Sequence, residues 1–108
     1  MHVAIRRYQL EPDSVDAVMR QVNEGFIPII KDADGFLAYY ALKTGAGEIA
    51  TVSIFDDQAG AEQSIWMAAE WVGDNLAALL PNPPEITAGE VEAYELNLTR
   101  LGMRKIRE

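Results

Sequence analysis

The sequence predicts an α+β domain of the split βαβ, ferredoxin-like class: a four-stranded antiparallel sheet with two helices on one face. Three observations in its 108 residues predict it. Apolar residues recur with period two, the rhythm of strands, over residues 2–9, 36–43, 48–55 and 91–98. They recur with helical period over 13–31 and 57–80. The order of these runs, strand–helix–strand–strand–helix–strand, is the order of that fold.

The first run puts Val3 and Ile5 on one face and His2, Ala4, Arg6 and Tyr8 on the other. Glu11-Pro12-Asp13 then breaks the chain, and Asp13 is the expected N-cap of the first helix. Val15, Val18, Met19, Val22, Phe26, Ile29 and Ile30 form its apolar stripe. Pro28 cannot donate to the carbonyl of Glu24, so a kink or break is expected near residues 24–27. Asp32-Ala33-Asp34-Gly35 is a turn.

The second strand is apolar on both faces: Phe36, Ala38, Tyr40 and Leu42 on one, Leu37, Tyr39 and Ala41 on the other. A strand wet on one face alternates with polar residues, so this one expects cover on both. Thr44-Gly45-Ala46-Gly47-Glu48 is a hairpin connection. In the third strand Ala50, Val52 and Ile54 oppose Ile49, Thr51, Ser53 and Phe55. Asp56 or Asp57 caps the second helix, whose main stripe reads Ile65, Ala69, Val72, Leu76, Leu79 and Leu80, widened by Trp66 and Ala68. Pro81-Asn82-Pro83-Pro84 ends it. Residues 86–90 read as a connector and Val91 to Leu98 as the closing strand. Residues 1–98 are therefore expected to form one domain and 99–108 a basic C-terminal tail.

A chain of this length buries roughly 65% of its unfolded surface, enough for a core. It has no cysteine and one histidine, which excludes disulfides, thiolate metal sites and a multi-histidine metal site within one copy. No metal is expected. The net charge is −8, and the body to residue 99 carries −11 against +3 in the last nine residues. An acidic body repels phosphate backbones, so no nucleic-acid partner is expected. No apolar run reaches the ~20 residues of a membrane helix, and the N-terminus lacks the pattern of a signal peptide. The expectation is a cytoplasmic protein with no membrane association.

Motifs for chemistry are sparse. The glycines near 45–47 lie between two strands, a hairpin context rather than a phosphate loop. Asp32/Asp34 and Asp56/Asp57 fit turns and caps. The aromatic residues are the stronger signal. A pocket between the second helix and the sheet would be lined by Trp66 with Ser53, Thr51 or Tyr40, with Arg6 or Arg7 offering a charge at its mouth. His2 is the remaining candidate, because its side chain titrates near neutrality.

These residues resemble the dimeric α/β-barrel superfamily, in particular its antibiotic biosynthesis monooxygenase-like domains. The resemblance rests on Gly35-Phe36 with Leu37-Ala38-Tyr39-Tyr40, on Phe55-Asp56-Asp57 opening a helix, on Ala68-Ala69-Glu70-Trp71-Val72 and on Gly89-Glu90-Val91. It implies a homodimer through the sheet face, which would cover the second face of 36–42. It also implies chemistry without metal or flavin: the protein supplies a dry pocket and orientation, and an electron-rich phenol reacts with oxygen itself. Trp66 is the helix residue placed against that substrate. The chain lacks an Asn–Trp–His constellation, since Asn75 lies about half a turn around the helix from Trp66 and His2 is on another element, which speaks against a haem-degrading branch. The expected function is a cofactor-independent monooxygenase-like protein that acts on or binds a small aromatic compound. The alternatives are a non-catalytic ligand-binding or regulatory dimer, and a structural dimer with a filled interior.

Overall fold

The computed structural model describes residues 1–102; the expected basic tail lies outside the described residues from 103 onward. Strand β1 (His2–Gln9) leads through a 3-10 turn at Pro12–Ser14 into helix α1 (Val15–Gln21), a π-helical turn (Val22–Phe26) and helix α2 (Ile27–Ile30). Strands β2 (Phe36–Gly45) and β3 (Glu48–Phe55) follow, then helix α3 (Gln58–Asn75) and strand β4 (Glu85–Glu90). The strands form one antiparallel sheet in the order β2-β3-β1-β4, with the helices on one face. That is the ferredoxin-like arrangement.

The first helical arm widens where proline removes a donor. Ile27 N–H bonds the Val22 carbonyl, five residues back, and Pro28 follows directly. The wide turn absorbs the missing hydrogen bond and turns both Val22 and Phe26 into the core. Asp13 does not cap the arm. It lies inside the 3-10 turn, and Ser14, at the start of α1, makes no side-chain cap bond.

Strand β2 carries a bulge. Phe36 pairs with Phe55 and Ala38 with Ile54, so Leu37 has no partner and the face changes across it. The expected grouping of Phe36 with Ala38, Tyr40 and Leu42 is thereby corrected. Phe36 joins Tyr39 on the helix side, its ring 5.8 Å from that of Phe55. Gly35 enters the bulge at φ 76°, a conformation open to glycine, and its carbonyl accepts from Asp56 N–H at 2.8 Å.

Asp57 caps α3: its side chain accepts from Gly60 N–H at 2.9 Å. The face α3 turns to the sheet is built from small residues. Ala61, Ser64 and Ala68 are buried, while Ala69 and Trp66 of the expected stripe are exposed. A Cβ on Gly60 would lie 2.8 Å from the Phe55 ring, so the helix start packs directly onto that side chain. The helix ends at Asn75 rather than near 80; Leu76 and Leu80 continue in a buried turn closed by Leu80 N–H to the Leu76 carbonyl at 2.8 Å.

The closing strand is also displaced from its expected place. β4 is Glu85–Glu90, not 91–98. Its register runs from Arg7↔Glu85 to His2↔Glu90, so β1 is used up when the chain reaches Val91. Val91 N–H still donates to the Met1 carbonyl at 2.9 Å, but residues 92–102 belong to no strand. Tyr94, Leu96 and Leu98 stand exposed.

The two faces of the sheet differ. Ala4, Arg6 and Tyr8 of β1 and Ile49, Thr51, Ser53 and Phe55 of β3 are buried under the helices. Val3, Ile5, Ala38, Tyr40, Leu42, Val52 and Ile54 lie on the other face. No helix or strand among the described residues covers that face, and Tyr40 and Leu42 are 51% and 43% exposed.

Candidate functional site

The site is a small cavity between the sheet and the helices. Arg6 and Tyr8 of β1, Tyr39 of β2 and Ile49 and Thr51 of β3 form its floor. Val18, Val22 and Phe26 of the first arm, and Ala68, Trp71, Val72, Leu76 and Leu80 from α3 and the turn after it, form its walls. Local structure explains each placement. Period two puts Arg6 and Tyr8 on the same side of β1. The bulge in β2 sets Tyr39 toward the helices. The π turn carries Phe26 inward, 5.6 Å from the Tyr39 ring and 5.4 Å from the Trp71 ring. Gly25 makes room for the indole, since a Cβ there would lie 2.8 Å from Trp71.

The cavity volume is about 20 Å³, room for little more than a water molecule. Trp71 also forms a wall of a surface hollow of about 240 Å³, with Ile29, Met67, Glu70 and Asp74. One indole thus stands between the buried space and an open depression.

The dominant electrostatic feature is Arg6. It is 2% exposed, and its one hydrogen bond is long, Nη2 to Ser53 Oγ at 3.4 Å. Nε and Nη1 have no partner among the described residues, and neither does the buried Thr51 hydroxyl. Among the described residues, no Asp or Glu lines the cavity. Burying a cation without a counter-charge costs several kcal/mol. Burial pushes both phenols, Tyr8 and Tyr39, above the usual tyrosine range, and the Arg6 charge draws each partly back. Thr51 and Arg6 both favour the Tyr39 phenolate, at geometries that fall short of hydrogen bonds.

The residues singled out from the sequence are therefore dispersed. Arg6 and Thr51 meet in the cavity, with Ser53 behind Arg6. Arg6 is in the interior rather than at a mouth, and Arg7 is exposed on the other side of the sheet, beside Gln9, Glu48 and Asn82. Tyr40 pairs with Val52 and points away from the helices. Trp66 is 74% exposed on the outside of α3 and does not line the cavity. His2 lies in a shallow hollow with Gln58, Glu62 and Ala88, remote from Arg6. Sequence reasoning passed over Tyr8, Phe26 and Trp71 as site residues. For Tyr8 the signal was available, because it shares a strand face with Arg6. For Trp71 it was not, because five residues separate it from Trp66 and the sequence does not say which of the two turns inward.

The backbone has close likenesses among solved structures. A protein of unknown function from Nitrosomonas europaea superposes with a TM-score of 0.75 at 26% identity, covering 89% of this chain and 93% of that one. A monooxygenase from Streptomyces coelicolor, solved in complex with nanaomycin D, gives 0.71 at 16% identity over 89% and 91%. The chain has the antibiotic biosynthesis monooxygenase fold. A cofactor-independent oxygenase from Streptomyces nogalater, SnoaB, shares that fold at a TM-score of 0.63, with 11% identity over 86% and 94%. No family model matches the sequence, and no curated protein matches it. The antibiotic biosynthesis monooxygenase fold is thus carried here by a sequence that shares 16% and 11% identity with the two oxygenase structures.

Proposed function

We propose that this chain takes a small aromatic compound between its helices and its sheet, and oxygenates it without a cofactor, as a homodimer. The observation that carries the reading is the aromatic ring of Tyr8, Tyr39, Phe26 and Trp71 around a small cavity with three unpartnered polar atoms, Nε and Nη1 of Arg6 and the Thr51 hydroxyl. Ligand sites are mostly apolar with a few placed polar groups. The fold shared with two oxygenases supports the chemistry. An anthrone-type phenol would lose a proton, react with dioxygen at the activated carbon, and leave as the quinone with one water. All the oxidising power comes from dioxygen. The protein contributes orientation and exclusion of water. A ligand of aromatic size needs more than the present cavity, and a swing of Trp71 toward the outer hollow would join the two spaces.

The homodimer uses the sheet face that carries Tyr40 and Leu42. A large apolar patch left in water marks an interface, and the exposed Tyr94, Leu96 and Leu98 extend the apolar surface available for it. Residues 1–98 are read as the domain and the basic stretch from 99 as an appendage to it. The protein is read as cytoplasmic.

Oxygen uptake with an anthrone tests the enzyme. Uptake should be lost in Trp71→Ala and Tyr39→Phe and kept in Trp66→Ala; no uptake with any electron-rich phenol, despite binding, would leave a non-catalytic ligand-binding module. Sedimentation at micromolar concentration tests the assembly. Leu42→Asp should give a monomer, and a monomeric wild type would defeat the dimer.

A further inference from the structure

We infer that the ligand of this cavity is an anion, held by its carboxylate or an equivalent singly charged oxyanion on Arg6 and Thr51. The inference rests on the reading of the cavity as a ligand site, and it specifies the chemical class of that ligand. Three facts carry it. First, the guanidinium is buried, and among the described residues only one of its five N–H bonds, on Nη2, has an acceptor, while Nε and Nη1 have none. The Thr51 hydroxyl that lines the same space is also buried and unpartnered. Second, the chain is rich in acidic residues, and none of those among the described residues lines the cavity. Third, the nearby phenols cannot neutralise the cation, because burial holds Tyr8 and Tyr39 protonated beyond the ordinary tyrosine range.

A water molecule would satisfy an N–H but would not cancel the charge. A neutral phenol or quinone would leave the same deficit. A carboxylate supplies the missing charge and accepts from guanidinium and hydroxyl together. The free volume of about 20 Å³ suits a head group of that size, with the apolar body of the ligand lying among Phe26, Trp71 and Tyr39. Glu70 and Asp74 line the outer hollow on the far side of Trp71, so a ligand's charge is favoured at the Arg6 end and disfavoured at that rim.

The test is a thermal-shift and calorimetric comparison of formate with formamide and of benzoate with benzamide, at matched ionic strength. The carboxylates should raise the melting temperature and bind at least about ten-fold tighter than the amides, the scale of charged over neutral hydrogen bonds. Arg6→Met should abolish that preference while the unliganded protein melts at the same or a higher temperature. Thr51→Val should weaken the carboxylates several-fold and leave the amides unchanged, which keeps the test open if Arg6→Met fails to fold. Benzamide equal to benzoate would overturn the anion and leave the aromatic pocket standing. Formate binding without benzoate binding would uphold the anion and remove the aromatic pocket. No stabilisation by either carboxylate, or a preference that survives Arg6→Met, would overturn the inference.

Discussion

Arg6 and Arg7 are neighbours in the chain and opposites in the fold. One is sealed between sheet and helices with no acid beside it; the other stands in solvent with Glu48 and Glu85 lining the same surface pocket. Trp66 and Trp71 repeat the contrast on α3, one outside and one inside. The two faces of the sheet show it on a larger scale. The helix-covered face holds a buried charge that costs stability, and the open face holds apolar side chains that would gain stability from cover. A domain selected for stability alone would exchange these contents. The exchange is explained if the inner face is a site and the outer face an interface.

The comparison can be broken by experiment. The largest effect is expected from the tryptophans: Trp71→Ala should cost about 3 kcal/mol of unfolding free energy by chemical denaturation, the low end for buried aromatics because the indole is half-buried, while Trp66→Ala should leave the midpoint nearly unchanged. Equal losses would mean that α3 is not oriented as described. Next come the arginines. Arg6→Met should stabilise the unliganded protein by about 1–4 kcal/mol, on the scale seen when buried ion pairs give way to packed apolar groups. Arg7→Met should do nothing measurable. A large loss on Arg6→Met would make Arg6 a structural residue.

The phenols sharpen the same point through pH. Burial raises the ionisation of Tyr8 and Tyr39 above the ordinary tyrosine range of about 10 in the folded chain. The unfolded chain therefore releases their protons first, and stability, whole below pH 10, should fall as pH rises toward the folded values. Each phenol held protonated contributes a slope of about 1.4 kcal/mol per pH unit. Arg6→Met should move the tyrosinate absorbance titration to still higher pH, because it removes the charge that draws both phenols down. The smallest effect is at the cap: Asp57→Ala should cost about 0.5–2 kcal/mol, read by thermal denaturation, because it frees Gly60 N–H at the start of α3.

Much of the architecture was legible in the chain. Strands β1, β2 and β3, the turn at Gly35, the Asp57 cap and the disturbance before Pro28 all follow from local chemistry, since alternation, capping and a missing N–H act within a few residues. The site was less legible. Arg6, Thr51 and Ser53 were readable as candidates, but Tyr40 and Trp66 were read inward when they face outward. Leu37 explains the first error: an unpaired residue in a bulge reverses the face, and nothing in an apolar run marks it. Ala61, Ser64 and Ala68 explain the second. A helix packed tightly on a sheet buries its small residues, so the bulkiest side chain is a poor guide to the inner face.

The last strand shows the same division. The alternation at 91–98 is real in the sequence, but pairing depends on where β1 ends, and β1 is exhausted at Glu90. The sequence by itself determined the order of elements, the absence of cysteine chemistry and the apolar character of both sheet faces, because these rest on composition and short-range periodicity. Register, the choice between Trp66 and Trp71, and the seating of Arg6 in a cavity whose wall holds no acid were set by the folded arrangement. Those depend on contacts between residues far apart in the chain, and no local pattern encodes which partners the folded chain brings together.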